Sequence, residues 1–141
     1  MSELRKSRSA FDALTWADAW IFASLACATN PSGRILFPQL LHGADILNHA
    51  VPTLGEIKHA FRALHRRGLV RVRNGAVFLS PTASGLHHEA RAKRAGLFSI
   101  VDNTVRVLNS PRRNFAKLEC VPDLRFITRS FLQRAWREFQ D

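Results

Sequence analysis

Residues 53–80 read TLGEIKHAFRALHRRGLVRVRNGAVFLS, and this stretch decides the fold. Thr53, Leu54, Gly55 and Glu56 have capping-box spacing, in which the threonine hydroxyl accepts an amide at the helix start and the glutamate reaches back. Pro52 discourages a continuous helix from upstream. Ile57, Phe61 and Leu64 recur at i, i+4 and i+7, so one stripe faces a core, while Lys58, Arg62, His65 and Arg66 fall on roughly the opposite face. Gly68 ends the helix. Two β-prone runs, 69–73 and 76–79, then flank Asn74-Gly75, a strong hairpin signal. A two-residue turn places Arg73 opposite Ala76, Val72 opposite Val77, Arg71 opposite Phe78 and Val70 opposite Leu79. Side chains alternate between faces, so Val70, Val72, Val77 and Leu79 are expected inside and Arg71 and Arg73 outside.

Six basic residues (Lys58, Arg62, Arg66, Arg67, Arg71 and Arg73) lie here, and no Asp or Glu occurs from residue 57 to residue 88. That is the footprint of a nucleic-acid binder. The whole chain leans the same way: its 141 residues carry 21 Lys and Arg against 11 Asp and Glu, a formal net charge of +10. Such an excess implies anionic partners, nucleic acid before membrane, and says nothing of fold. The 46% hydrophobic content suffices for a core without covalent staples. Cys27 and Cys120 form no CxxC, so two reduced thiols are expected rather than a disulfide. Arg5, Lys6 and Arg8 before the apolar run 19–28 imitate a secretory leader, but Asp12 and Asp18 fit one poorly. No run approaches the ~18 apolar residues of a spanning helix. A cytoplasmic protein with no membrane partner is expected.

Residues 1–10 lack periodicity and read as a flexible basic arm. Thr15-Trp16-Ala17-Asp18 offers a second capping box, and Leu14, Ala17, Ile21, Leu25 and Ala28 keep helical spacing around and beyond it. Trp16 and Trp20, four apart, read as packing groups rather than base-stacking ones. Residues 29–33 break the helix. Residues 34–37 have the composition of a short strand joining the hairpin's sheet, and Pro38 opens a helix over 38–49. Residues 81–85 lead into another helix, whose apolar spacing runs from Leu86 through Leu97 to Leu108, with a strand possible at 105–107. Residues 109–114 form a loop and 115–121 are ambiguous. Pro122-Asp123 opens a last helix with Leu124, Ile127, Phe131, Ala135, Trp136 and Phe139 as its apolar stripe, suited to packing back on its own domain or to a dimer interface.

The order helix, helix, helix, hairpin over residues 14–85 resembles the winged-helix superfamily of bacterial transcription regulators, broadly the MarR-like and PadR-like domains. The phrase Ala63 to Val70, ALHRRGLV, is similar to the family's passage from recognition helix into wing, and residues 79–85, LSPTASG, to the exit from many wings. The resemblance implies a mainly α fold with a small β-wing (α+β): a winged helix-turn-helix over 11–85 with a C-terminal helical extension over 86–141. It implies a DNA-binding role for Lys58, His59, Arg62, His65, Arg66 and Arg67 on the third helix and for Arg71, Arg73 and Asn74 on the wing. Regulators of this shape commonly present two modules to two half-sites, so a homodimer through the last helix is expected.

The leading expectation is therefore a double-stranded DNA binder acting in transcription regulation. The alternative is a winged-helix module for protein or RNA, since fold alone does not give the job. No phosphate loop, paired carboxylates or nucleophilic triad appears, so no enzyme and no cofactor is expected. His42, Asp45 and His49 share a helix face and His87-His88 are adjacent, but neither spacing makes a metal site.

Overall fold

The computed structural model describes residues 13–26, 28–92, 99–110, 115, 118 and 120–140. The expected basic arm, Cys27, Leu97, residues 111–114 and the Phe139 side chain lie outside the described residues. Among the described residues, six helices and one hairpin follow in order: α1 (Trp16–Leu25), α2 (Phe37–Asn48), α3 (Leu54–Arg66), β1 (Val70–Arg73), β2 (Ala76–Leu79), α4 (Pro81–Ala92), α5 (Ile100–Leu108) and α6 (Arg129–Gln140). The fold is mainly α with a small β-wing.

Both capping boxes form. Thr53 Oγ1 accepts from Glu56 N at 3.1 Å, and Glu56 Oε1 accepts from Thr53 N at 2.9 Å. At α1, Thr15 Oγ1 accepts from Asp18 N at 3.1 Å, and Asp18 Oδ2 accepts from Thr15 N at 3.0 Å. The end of α3 is a Schellman closure: Gly68 N donates to His65 O at 2.9 Å and Leu69 N to Leu64 O at 3.0 Å. Gly68 meets the left-handed requirement of that closure with φ +71°. The hairpin turns on Asn74 and Gly75, both at positive φ. Its register pairs Val70 with Leu79, Arg71 with Phe78, Val72 with Val77 and Arg73 with Ala76, as the turn length dictates.

Residues 34–37 differ from expectation. They make isolated bridges, Thr29 to Ile35 and Arg34 to Phe78, instead of a strand, and Phe37 already belongs to α2. The cause lies in the preceding turn. Asn30 Oδ1 accepts from Ser32 N, Ser32 Oγ and Arg34 N, and Leu36, itself still extended, is already the N-cap of α2, so only a few residues are left to pair. The contact with the hairpin survives through Ile35 N to Val77 O and Leu79 N to Gly33 O, both 2.8 Å.

Helix α1 is the centre of the molecule. It packs against α2, α3 and α5, and every residue from Asp18 to Leu25 is buried. A helix enclosed on three sides has no wide polar face to offer, which is why Ala19, Trp20, Phe22 and Ala23, between the stripe positions Ala17, Ile21 and Leu25, are apolar too. Trp20 Nε1–H, buried, donates to Ala44 O at 2.9 Å.

Downstream of the hairpin the sequence reading needs three corrections. The helix expected across 86–108 is a pair, α4 and α5, packed against each other, and α4 runs through the boundary expected at 85/86. Residues 105–107 are helical, not a strand. The last helix starts at Arg129, not at Pro122. Asp123 accounts for the delay: it accepts from Arg125 N, Nε and NH2 at 3.1, 2.9 and 2.9 Å, a local clamp that competes with helix. Leu124 and Ile127 are buried from a loop instead of from a helix face. Thr128 Oγ1 then accepts from Phe131 N at 3.1 Å and caps α6.

One core holds all of this, drawing on Leu14, Phe22, Phe61, Leu69, Val101, Leu108, Ile127 and Ala135 alike. The apolar stripe of α6 is covered by α2 of the same chain. Phe131 meets Phe37 edge-on with centroids 4.9 Å apart, and Trp136 stacks on His42 at 3.9 Å and 3°. The surface on which a dimer contact is expected is thus used within the chain.

Candidate nucleic-acid interface

The capping box fixes where α3 begins, and its apolar stripe fixes which face is left to solvent. On that outward face Arg62 and Arg66 are exposed and Lys58 half-buried. These three stand four residues apart, so they rise along one face at about 6 Å per step. His59 is 64% exposed, yet its Nδ1–H donates to Asp18 Oδ1 at 2.8 Å. Asp18 is buried, so one carboxylate both caps α1 and pins the imidazole on the basic face of α3.

Two residues expected at the interface leave it. His65 is 7% and Arg67 6% exposed. The signal for His65 was present: Ile57, Ala60, Phe61, Leu64 and His65 follow the full i, i+3, i+4, i+7, i+8 pattern of a buried stripe. Burial also lowers the His65 pKa, which keeps its ring neutral at pH 7. Arg67 folds back past the end of α3, and its guanidinium donates to Ala63 O at 3.2 Å.

The hairpin presents Arg71, Arg73 and Asn74 to solvent. The Arg73 guanidinium lies over the Phe78 ring at 5.5 Å, close enough for a cation–π contact that orients it. Behind the turn, Phe126 approaches Gly75: a Cβ on that glycine would stand 4.0 Å from the ring. Phe126 in turn packs edge-on against Phe37 and Phe131 at 6.4 and 5.7 Å, so the hairpin tip rests on the aromatic group that seats α6. At the other end of the segment, Leu118 N donates to Arg66 O at 2.9 Å. The C-terminal region therefore braces α3 and the hairpin together.

No protein-family model, curated protein or solved structure matches this chain. The site is accordingly read from its own chemistry. Among the described residues, no group of three or more His, Cys, Asp or Glu side chains is placed to hold a metal ion. Nor is any described helix long and apolar enough to cross a membrane. What the arrangement offers is a row of guanidinium and ammonium groups on two adjoining elements, suited to anionic oxygens.

Sequence reasoning missed Arg34. Its bridge to Phe78 extends the row Arg71–Phe78 by one position, so Arg34, Phe78 and Arg71 share a sheet face. An isolated bridge leaves no periodic trace in a sequence.

Proposed function

We propose that the protein is a winged-helix binder of double-stranded DNA acting in transcription regulation, with α3 in the major groove and the hairpin as its wing on the backbone or in the minor groove. The observation that supports this most is the basic surface itself. Arg62, Arg66, Arg71 and Arg73 are exposed on the two elements, and the stretch from 57 to 88 holds no acid to offset them. Arg62 or Arg66 is suited to bidentate contact with guanine, while Lys58, Arg71 and Arg73 are suited to phosphates. His59 is suited to a positioning contact, since Asp18 fixes its ring. A homodimer on two half-sites remains part of the proposal and requires a surface other than the stripe of α6; sedimentation velocity of the free protein tests it.

The deciding experiment is anisotropy of a labelled duplex over a range of salt, for wild type and Arg66→Ala. Binding with a steep log–log slope, weakened in the variant, supports the reading; each neutralised phosphate adds ~0.9 to the slope. No binding at low salt by folded protein overturns it and turns attention to a protein or RNA partner.

A further inference from the structure

Beyond the helix and hairpin, the basic surface continues into a groove between the start of α2 and α6. The groove has a volume of about 310 Å³ and is lined by Arg34, Phe37, Phe131, Arg134 and Glu138, among others. Arg34 is what joins it to the hairpin. The hydrogen bonds Ile35 N to Val77 O and Leu79 N to Gly33 O make Arg34 and Phe78 a non-hydrogen-bonded antiparallel pair, the arrangement in which facing side chains come closest. Phe78 also lies opposite Arg71 and beneath Arg73. One sheet face thus carries three exposed arginines around a single aromatic ring, and its outermost member opens onto the groove. Arg134, on α6, stands on the other wall. Arg34 and Arg134 are exposed, and neither has a carboxylate within ion-pair distance among the described residues. Glu138 is the one acid of the lining.

We infer that this groove is a phosphodiester-binding site, in which Arg34 and Arg134 hold the nucleic-acid backbone where it leaves the hairpin. The inference rests on the proposed nucleic-acid function and extends it to a surface outside the helix and wing. Charge complementarity selects the occupant: guanidinium forks match phosphate oxygens in pairs, and the groove runs on from a face already basic. Glu138 lines the same groove, so its negative charge opposes the anion that the two arginines attract.

The test is the salt dependence of duplex binding by Arg34→Ala/Arg134→Ala, Arg34→Lys and Glu138→Gln, beside Arg66→Ala as a control on α3. The double variant should lose about 1.8 from the slope and bind roughly 8-fold more weakly per lost contact at about 0.1 M salt. Arg34→Lys should keep the wild-type slope, because it keeps the charge. Glu138→Gln, which leaves both arginines in place, should bind more tightly. If Arg66→Ala weakens binding while the double variant and Glu138→Gln match wild type, the groove is overturned and the helix-and-hairpin reading stands. If wild type binds no duplex at low salt, both fall.

Discussion

His87 shows how much one buried side chain can make the molecule sensitive to acid. Its ring stacks on Phe22 with centroids 4.1 Å apart, it is 7% exposed, and its Nε2 has no hydrogen-bond partner. Burial, helped by the nearby Arg91 charge, lowers its pKa from the ordinary 6.5 to about 4. The unfolded chain therefore binds more protons than the folded one between these values, so stability is full above pH 6.5 and falls as the pH drops toward 4. A shift of this size corresponds to ~3 kcal/mol. Urea unfolding at a series of pH values should show that loss, and His87→Phe should flatten the profile in this window. An unchanged pH dependence in the variant would assign the acid sensitivity to other groups. The sequence signal is the same as for His65: Ala83, Leu86, His87 and Ala90 follow i, i+3, i+4 and i+7. His88 stands beside it, equally basic on paper, and the same stripe sends one inward and leaves the other exposed. The burial of Arg67 was hidden, since it depends on where the chain turns after α3.

Elements closed by local chemistry were legible, and those shaped by distant contacts were not. Thr15 with Asp18, Thr53 with Glu56, and Asn74-Gly75 each specify their geometry within four residues, and all three form as read. The start of α6 was misread because Leu124 and Ile127 keep helical spacing while buried from a loop; their burial is set by the core they reach. The seating of α6 on α2 follows from the same aromatic group. Trp136, half-buried, stacks on His42, whose Nε2–H donates to Trp136 O at 3.3 Å. Trp136→Ala keeps the backbone acceptor but removes the stacked ring, and should cost about 2 kcal/mol, less than the 3–5 typical of a fully buried aromatic. Chemical denaturation measures this. A cost near zero would mean that α6 is held by Phe131, Leu132 and Ala135 without the tryptophan.

At the scale of the whole molecule, the sequence reads most simply as one domain, a winged-helix unit with a helical extension, and one core draws on residues of both parts. The expected fold class stands because it depended on residues 53–80. How the C-terminal helices join the core was not visible, because it rests on α5 returning to α1 from beyond the hairpin. Asn109 fastens that return. Its Oδ1 accepts from Leu14 N at 2.8 Å and its Nδ2 donates to Leu14 O at 3.0 Å, a two-point bond across 95 residues. Asn109→Ala leaves both backbone groups of Leu14 without these partners and should cost about 1–3 kcal/mol. Thermal unfolding should show the loss in a single transition, since one core melts as one unit. Two separate transitions would instead divide the chain at the hairpin.

The enclosure of α1 also has a consequence for the order of events on the ribosome. Translation emits this helix, with Trp20, Ile21, Phe22 and Leu25 in close succession, before the α5 wall that finishes its burial, and Asn109 at the end of that wall lies 95 residues beyond Leu14. At roughly 5–20 residues per second, the nascent chain carries that greasy segment incompletely sheltered for about 5–20 s. The helix that the finished fold encloses from Asp18 to Leu25 is thus open to other chains while synthesis continues.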